Sequence, residues 1–314
     1  MHIPDGFLSG GVIAATWAVS ATGVGAALRA EKSDPNPMPA GILGATAAFL
    51  FAAQLVNVPV APGMSGHLVG ATLAAALLGP WRAVIAMSVV LAIQAVLFQD
   101  GGVGALGANL LDMGVVGVAT GYAVAIGAAR IAKSPRGLAI GCAVGAFAAT
   151  LAAATLTGLW LGLSGLYPIR GIVPVMLVSH VVIGVLEAGL TGAIVVTVLR
   201  WRPDLVRGVN TGRGVSHPGA ALVGMLGIAV VIAAIVSPFA SSLPDGFEAA
   251  AERLGVVAHS DATWPAPFSE YTLPFTTAAG VATALAGVLG TLAAAGVAWL
   301  VSRGLRSDPD AIHR

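Results

Sequence analysis

Apolar residues run along this chain in long blocks, and the charges and most prolines are confined to the short segments between them. Nine blocks approach the roughly 20 residues a helix needs to cross a bilayer core. They lie at about 8–28, 40–57, 66–79, 81–98, 104–128, 137–163, 172–199, 219–240 and 276–302. The third is short and passes through the tight turn Gly79-Pro80-Trp81-Arg82 into the fourth, so a partly re-entrant helix is expected there. The fifth holds Gly104, Gly107, Gly114, Gly117 and Gly121, a pattern for close packing or a broken helix.

Composition agrees with that pattern. Of 314 residues, 57% are hydrophobic and 9% charged, whereas a soluble domain carries roughly 25% charged residues. The expected fold is an all-α integral membrane protein with about nine transmembrane helices, in a cell membrane. Charge sets the orientation. With the N-terminus outside and the C-terminus inside, all 15 basic residues except Arg170 and Arg253 fall on the cytoplasmic side, as the positive-inside rule requires. A net charge of +1 gives no reason to expect nucleic acid as a partner.

The polar, basic segment from about 200 to 218 reads as a cytoplasmic linker. It divides the chain into residues 1–212 and 213–314. The second part is two spans joined by an outer loop of about 35 residues with Asp245, Glu248, Glu252, Asp261 and Glu270 against Arg253. Pro244-Asp245-Gly246-Phe247-Glu248 reads as a turn opening a short helix. Its carboxylates are expected to be solvated and too weak, one by one, to hold a transition metal. The loop is expected to shape the outer site without supplying a permanent ligand.

The candidate chemistry begins at Met1-His2, ahead of Ile3-Pro4-Asp5-Gly6-Phe7, with no basic signal-like stretch before it. A free α-amine, the His2 amide nitrogen and the His2 ring Nδ1 can close two adjacent chelate rings around one metal ion. One further imidazole completes a nitrogen square, the geometry that suits Ni(II) or Cu(II), with low-spin Co(II) able to follow. Pro4 and Asp5-Gly6 favour a fixed fold-back over a loose tail. The outer histidines are His2, His67 and His259, and only His67 adjoins a rigid helix, so it is the candidate fourth ligand. The lone Cys142 allows neither an internal disulfide nor a thiolate cluster.

Gln94, Asn109, Asp112, His180 and Glu187 fall within apolar blocks, where a charge costs roughly 3 kcal/mol on insertion scales. Interhelical hydrogen bonding is the expected role of Gln94 and Glu187. A metal path through the bundle is the sharper alternative for the group. Two other motifs point elsewhere. Gly127 to Ser134 nearly spells a phosphate-binding loop, but Ala132 replaces its second glycine and no strand precedes it. Gly63-Met64-Ser65-Gly66 looks like the Gly-x-Ser-Gly of rhomboid intramembrane proteases, with His180 as a base. Ser65, however, falls in a Pro/Gly-rich loop and not beneath a membrane cavity.

Met1-His2-Ile3-Pro4-Asp5-Gly6-Phe7-Leu8, Pro62-Gly63-Met64-Ser65-Gly66-His67, Leu78-Gly79-Pro80-Trp81, Gln94 to Gly102 and Gly107-Ala108-Asn109 together resemble the CbiM/NikM family. These are substrate-binding components of energy-coupling factor transporters for cobalt and nickel. The tail, with Pro244 to Glu248 and Ala251-Glu252-Arg253-Leu254-Gly255, resembles the CbiN/NikN small subunit, here fused. The resemblance implies seven spans plus two. It implies Co(II) or Ni(II) as transported substrate, with no prosthetic group, held by the Met1 amine, the His2 amide and ring, and His67. It also implies two separate partners, a CbiQ/NikQ-like coupling protein and a CbiO/NikO-like ATPase. Asp112 stands where the family pattern suggests asparagine.

Overall fold

The computed structural model describes residues 1–206, 215–258, 262, 264–273, 276 and 278–305. The proposed domain boundary, His259, Asp261 and the terminal arginines lie outside them. The described chain is helical apart from one small hairpin. Its elements are α1 (Gly10–Lys32), α2 (Ala40–Gln54), β1 (Val58–Ala61), β2 (Met64–Gly66), α3 (Ala71–Leu78), α4 (Pro80–Phe98), α5 (Leu106–Ala132), α6 (Pro135–Leu163), α7 (Ile169–Trp201), α8 (Pro218–Phe239), α9 (Gly246–Leu254) and α10 (Ala279–Gly304).

Seven of these are long and apolar enough to cross a membrane: α1, α4, α5, α6, α7, α8 and α10. The other two apolar blocks form shorter helices. α2 has 15 residues, and the third block contains only the 8-residue α3. The reason is local. Residues 58–66 fold as an antiparallel hairpin, with Val58 opposite Gly66, and residues 67–70 run without regular structure before α3 begins at Ala71. α3 is buried along its whole length, so it is a half-helix inside protein and not a lipid-facing one.

Packing follows small residues. A Cβ at Gly158 would stand 3.1 Å from the Val173 backbone, and one at Gly162 would stand 3.2 Å from the Ile169 backbone, so α6 and α7 approach closely. The tail is docked in the same way: a Cβ at Gly44 on α2 would lie 2.7 Å from the Ala295 carbonyl on α10. Buried polar groups bind helix to helix. Trp160 Nε1 and Thr157 Oγ1 donate to Asp112 at 2.8 and 3.1 Å, which ties α5 to α6. At the far end of α1, Arg82 holds Glu31 and Asp34 at 2.5 Å each, pinning the α1–α2 turn to the start of α4.

The charge pattern orients this bundle in a testable way. Cys142 is buried, so an introduced thiol can be read alone. A cysteine at exposed Ala262 is expected to react with a membrane-impermeant thiol reagent in intact cells, and one at exposed Ala132 is not. Labelling in the opposite sense would invert the assigned topology.

Candidate metal site

The N-terminal residues form a buried strap. Ile3 is fully buried and its backbone is clasped on both sides. Its N–H donates to Asn109 Oδ1 at 2.9 Å, and its carbonyl accepts from Asn109 Nδ2 at 3.1 Å and from the Gly102 N–H at 2.9 Å. Asp5 Oδ1 then accepts from the Gly104 N–H at 2.8 Å. The 99–105 loop accepts this strap only because it lacks side chains there: a Cβ on Gly102 would fall 2.3 Å from the Asp5 nitrogen. The fold-back read from Pro4 and Asp5-Gly6 is therefore held by tertiary hydrogen bonds as well as by its turn.

A second segment, residues 67–70, carries His67 between β2 and α3 and is fixed equally firmly. Glu187 on α7 accepts the N–H of Val69 at 2.7 Å and of Gly70 at 2.8 Å, at the start of α3. Gln54 Nε2 donates to the Val69 carbonyl at 2.7 Å, and Gln94 Nε2 in turn donates to Gln54 Oε1 at 2.8 Å. Gln94 and Glu187 thus make the structural bonds expected of them, and the backbone they hold is the one that presents His67.

These two segments bring the predicted residues together. The His2 and His67 rings stack with centroids 5.5 Å apart and planes within 11°. Met1, His2 and His67 are all buried. The Met1 ammonium is paired with the Asp245 carboxylate, and His2 Nδ1 lies 3.2 Å from Asp100 Oδ1. His67 Nδ1 sits 3.3 Å from the Leu68 carbonyl. A carbonyl only accepts, so in neutral His67 this arrangement makes Nδ1 the protonated nitrogen and leaves the Nε2 lone pair as the donor.

Electrostatics favour the neutral form of both rings. Burial pushes the His67 imidazole down to about 4, helped by the Met1 ammonium and by His2. Burial also lowers His2, partly offset by Asp100. Burial alone would raise the two carboxylates, but Asp245 is held below its usual range by the Met1 ammonium, and Asp100 by His2 and Tyr271. Tyr271 donates its hydroxyl to Asp100 at 2.6 Å.

The tail loop differs from its sequence reading in one respect. Asp245 is not solvated: its side chain is 14% exposed. Oδ1 caps α9 by accepting from the N–H groups of Phe247 and Glu248, while Glu248 Oε2 accepts the Asp245 N–H at 2.9 Å. This reciprocal box leaves Asp245 Oδ2 facing Met1. The Pro-Asp-Gly-Phe turn was legible as a helix start, but its partner across the molecule was not. Ser65 is no nucleophile for His180, since its hydroxyl donates to the Leu243 carbonyl at 2.7 Å and anchors the tail loop to β2. Among the described residues, no three His, Cys, Asp or Glu side chains converge as a metal cluster.

The fold and this site define a multi-pass membrane protein of metal transport, and comparison with known proteins makes the class specific. The chain belongs to the CbiM family, described as the cobalt uptake substrate-specific transmembrane region, which matches residues 2–205. A PDGLE domain matches residues 219–307. A protein of Archaeoglobus fulgidus named as a fused nickel transport protein is 33% identical, over 98% of this chain and 100% of its own length. One of Haloquadratum walsbyi, named as a metal transport protein, is 38% identical over 66% of this chain and 93% of its own. The crystal structure of a transition metal transporter is similar with a TM-score of 0.57 and 32% identity, covering 64% of this chain and 93% of that one.

The strap gives a direct prediction. Replacing Asn109 by Leu orphans the N–H of Ile3, one of whose partners is lost on each side, at a cost of about 1–3 kcal/mol for a buried unpaired group. Metal affinity is expected to fall although Met1, His2 and His67 are untouched. Unchanged affinity by titration of the purified variant would separate the strap from the site.

Proposed function

We propose that the chain captures Co(II) or Ni(II) at the outer face through the Met1 amine, the His2 amide nitrogen, the His2 ring Nδ1 and the His67 ring. It then serves as the substrate-binding component of an ATP-driven energy-coupling factor importer. A coupling membrane protein of CbiQ/NikQ type and an ATPase of CbiO/NikO type are its separate partners. The observation that carries this reading is the stacked His2–His67 pair beside the buried Met1 amine. Two imidazoles and two main-chain nitrogens make a donor set that suits square-planar ions. It does not choose between cobalt and nickel, which both accept it.

Loading in this reading is an exchange of partners. The amine leaves Asp245 and releases its proton to water, His2 Nδ1 leaves Asp100 as its proton moves to Nε2, and the ion displaces the His2 amide proton to water. Asp245 and Asp100 hold the ligand groups in place beforehand and remain close enough to balance the ion's charge afterwards. The tail loop therefore shapes the N-terminal site while contributing no permanent ligand.

Two experiments test this. One residue added before Met1 moves the amine beyond ring-closing distance and leaves His2 intact. High-affinity metal binding and uptake are expected to vanish at normal membrane abundance, as they are in His67→Ala. Retained high-affinity binding in the extended protein would refute the chelate. For the loop, neutralising Asp245 and Glu248 is expected to spare equilibrium affinity, at a loss of about 1 kcal/mol from the helix cap. Deleting residues 245–270 should reduce uptake strongly. Loss of binding in the doubly neutralised variant would make those carboxylates ligands.

A further inference from the structure

Beneath Met1 and His67 lies a small cavity, with space of about 10 Å³ for the centre of a water-sized sphere, also lined by Gly66, His180, Asp245 and Gly246. That volume is on the scale of a single water or ion. His180 on α7 is fully buried at its wall. Its Nδ1 lies 2.7 Å from the Met176 carbonyl one helical turn back, and a carbonyl can only accept. Nδ1 therefore carries the proton in the neutral ring, and the Nε2 lone pair is free. Among the described residues this Nε2 is buried with no hydrogen-bond partner. A buried polar atom left unpaired costs free energy, and a carbonyl-bonded Nδ1–H is the usual support for a metal-binding Nε2. The tail loop is cut to fit the ring: a Cβ on Gly246 would stand 2.9 Å from both His180 Cε1 and Nε2.

Resting on the capture site proposed above, we infer that His180 is an inner metal ligand, buried in the protein beside this cavity. It offers the ion a further nitrogen in the space it shares with Met1 and His67 as the ion exchanges with the Met1-His2-His67 donors. One lone pair with no other bond to make is a weak, single-point donor, which suits a transfer position better than tight storage. Met1, His67 and His180 line one cavity, so the ion can engage the new nitrogen before it releases all the old ones.

The test uses Ni(II) titration of the purified full chain and uptake in cells with the coupling and ATPase partners present. His180→Gln retains a donor for the Met176 carbonyl and removes the imidazole. Its affinity is expected to stay near wild type while uptake falls about tenfold or more, the scale on which groups around a metal act. In His67→Ala, where high-affinity binding is lost, the remaining low-affinity binding is expected to use His180, so His67→Ala/His180→Gln should bind about tenfold more weakly still. Unchanged uptake in His180→Gln, or equal residual affinity in the single and double variants, overturns the inner ligand. So does full loss of affinity in His180→Gln at normal melting temperature, because His180 is then a primary ligand. Should His180→Gln fail to accumulate, Gly246→Ala obstructs Nε2 and leaves the ring in place, with the same uptake loss expected and wild-type uptake counting against the proposal. The N-terminally extended protein separates the two ideas. If it binds Ni(II), the chelate fails, while the single and double variants still judge His180.

Discussion

The hydrogen-bonded clasp between Asn109 and the Ile3 backbone is the constraint on which the rest of the site depends. A chain terminus is normally the least ordered part of a domain. Here the third residue is fully buried, with its N–H and carbonyl both satisfied by one amide side chain. With Ile3 fixed, only two residues remain to place, and the positions of the Met1 amine and the His2 ring follow from short covalent geometry. The strap spends no secondary structure on itself, so its hydrogen bonds must come from elsewhere. They come from Asn109 on α5 and from the glycine-lined 99–105 loop, where a side chain at Gly102 would displace Asp5.

His67 is placed by a different device with the same logic. Residues 67–70 leave the hairpin without a regular ladder, and their main-chain groups are taken up by Glu187 and Gln54. A carboxylate buried in a membrane helix is costly when idle. Glu187 accepts two N–H groups at the start of α3, which accounts for its presence without a part in metal chemistry. The Met1 ammonium is held by an ion pair with Asp245 and the His2 ring by its contact with Asp100, while desolvation favours the neutral imidazoles.

Much of this architecture was legible in the sequence, because apolar block length reports directly on a bilayer. The count of long helices was not, since residues 67–70 of the third block stay non-helical, held by Glu187 and Gln54 from elsewhere in the chain. That Met1, His2 and His67 lie together was foreshadowed, because a chelate read from Met1-His2 asks for one further imidazole on the same face. Asp100 and Asp245 were not: both sit in loops rich in polar residues, and nothing local shows that they meet the N-terminus. Gln94 and Glu187 could be assigned to packing by residue type, but that they hold the His67 segment is a matter of tertiary contact. Asn109 carried a signal, a lone amide in an apolar block, though not the identity of its partner.

The fused tail follows from the same physics. α10 packs onto α2 through a glycine contact, Ser65 on β2 donates its hydroxyl to the Leu243 carbonyl of the loop, and the capped start of α9 turns one carboxylate oxygen toward Met1. Each contact is modest, but together they set the Pro244-Asp245-Gly246 turn directly over the capture residues. Any motion of that turn changes three things at once: the counter-charge on the amine, the closure of the cavity above His180, and the seating of β2 beside His67. A tail that is separate in structure is thus mechanically coupled to the outer site. Its two membrane helices are linked by direct contacts to Met1 and the His67 segment, with no long-range pathway through the bundle.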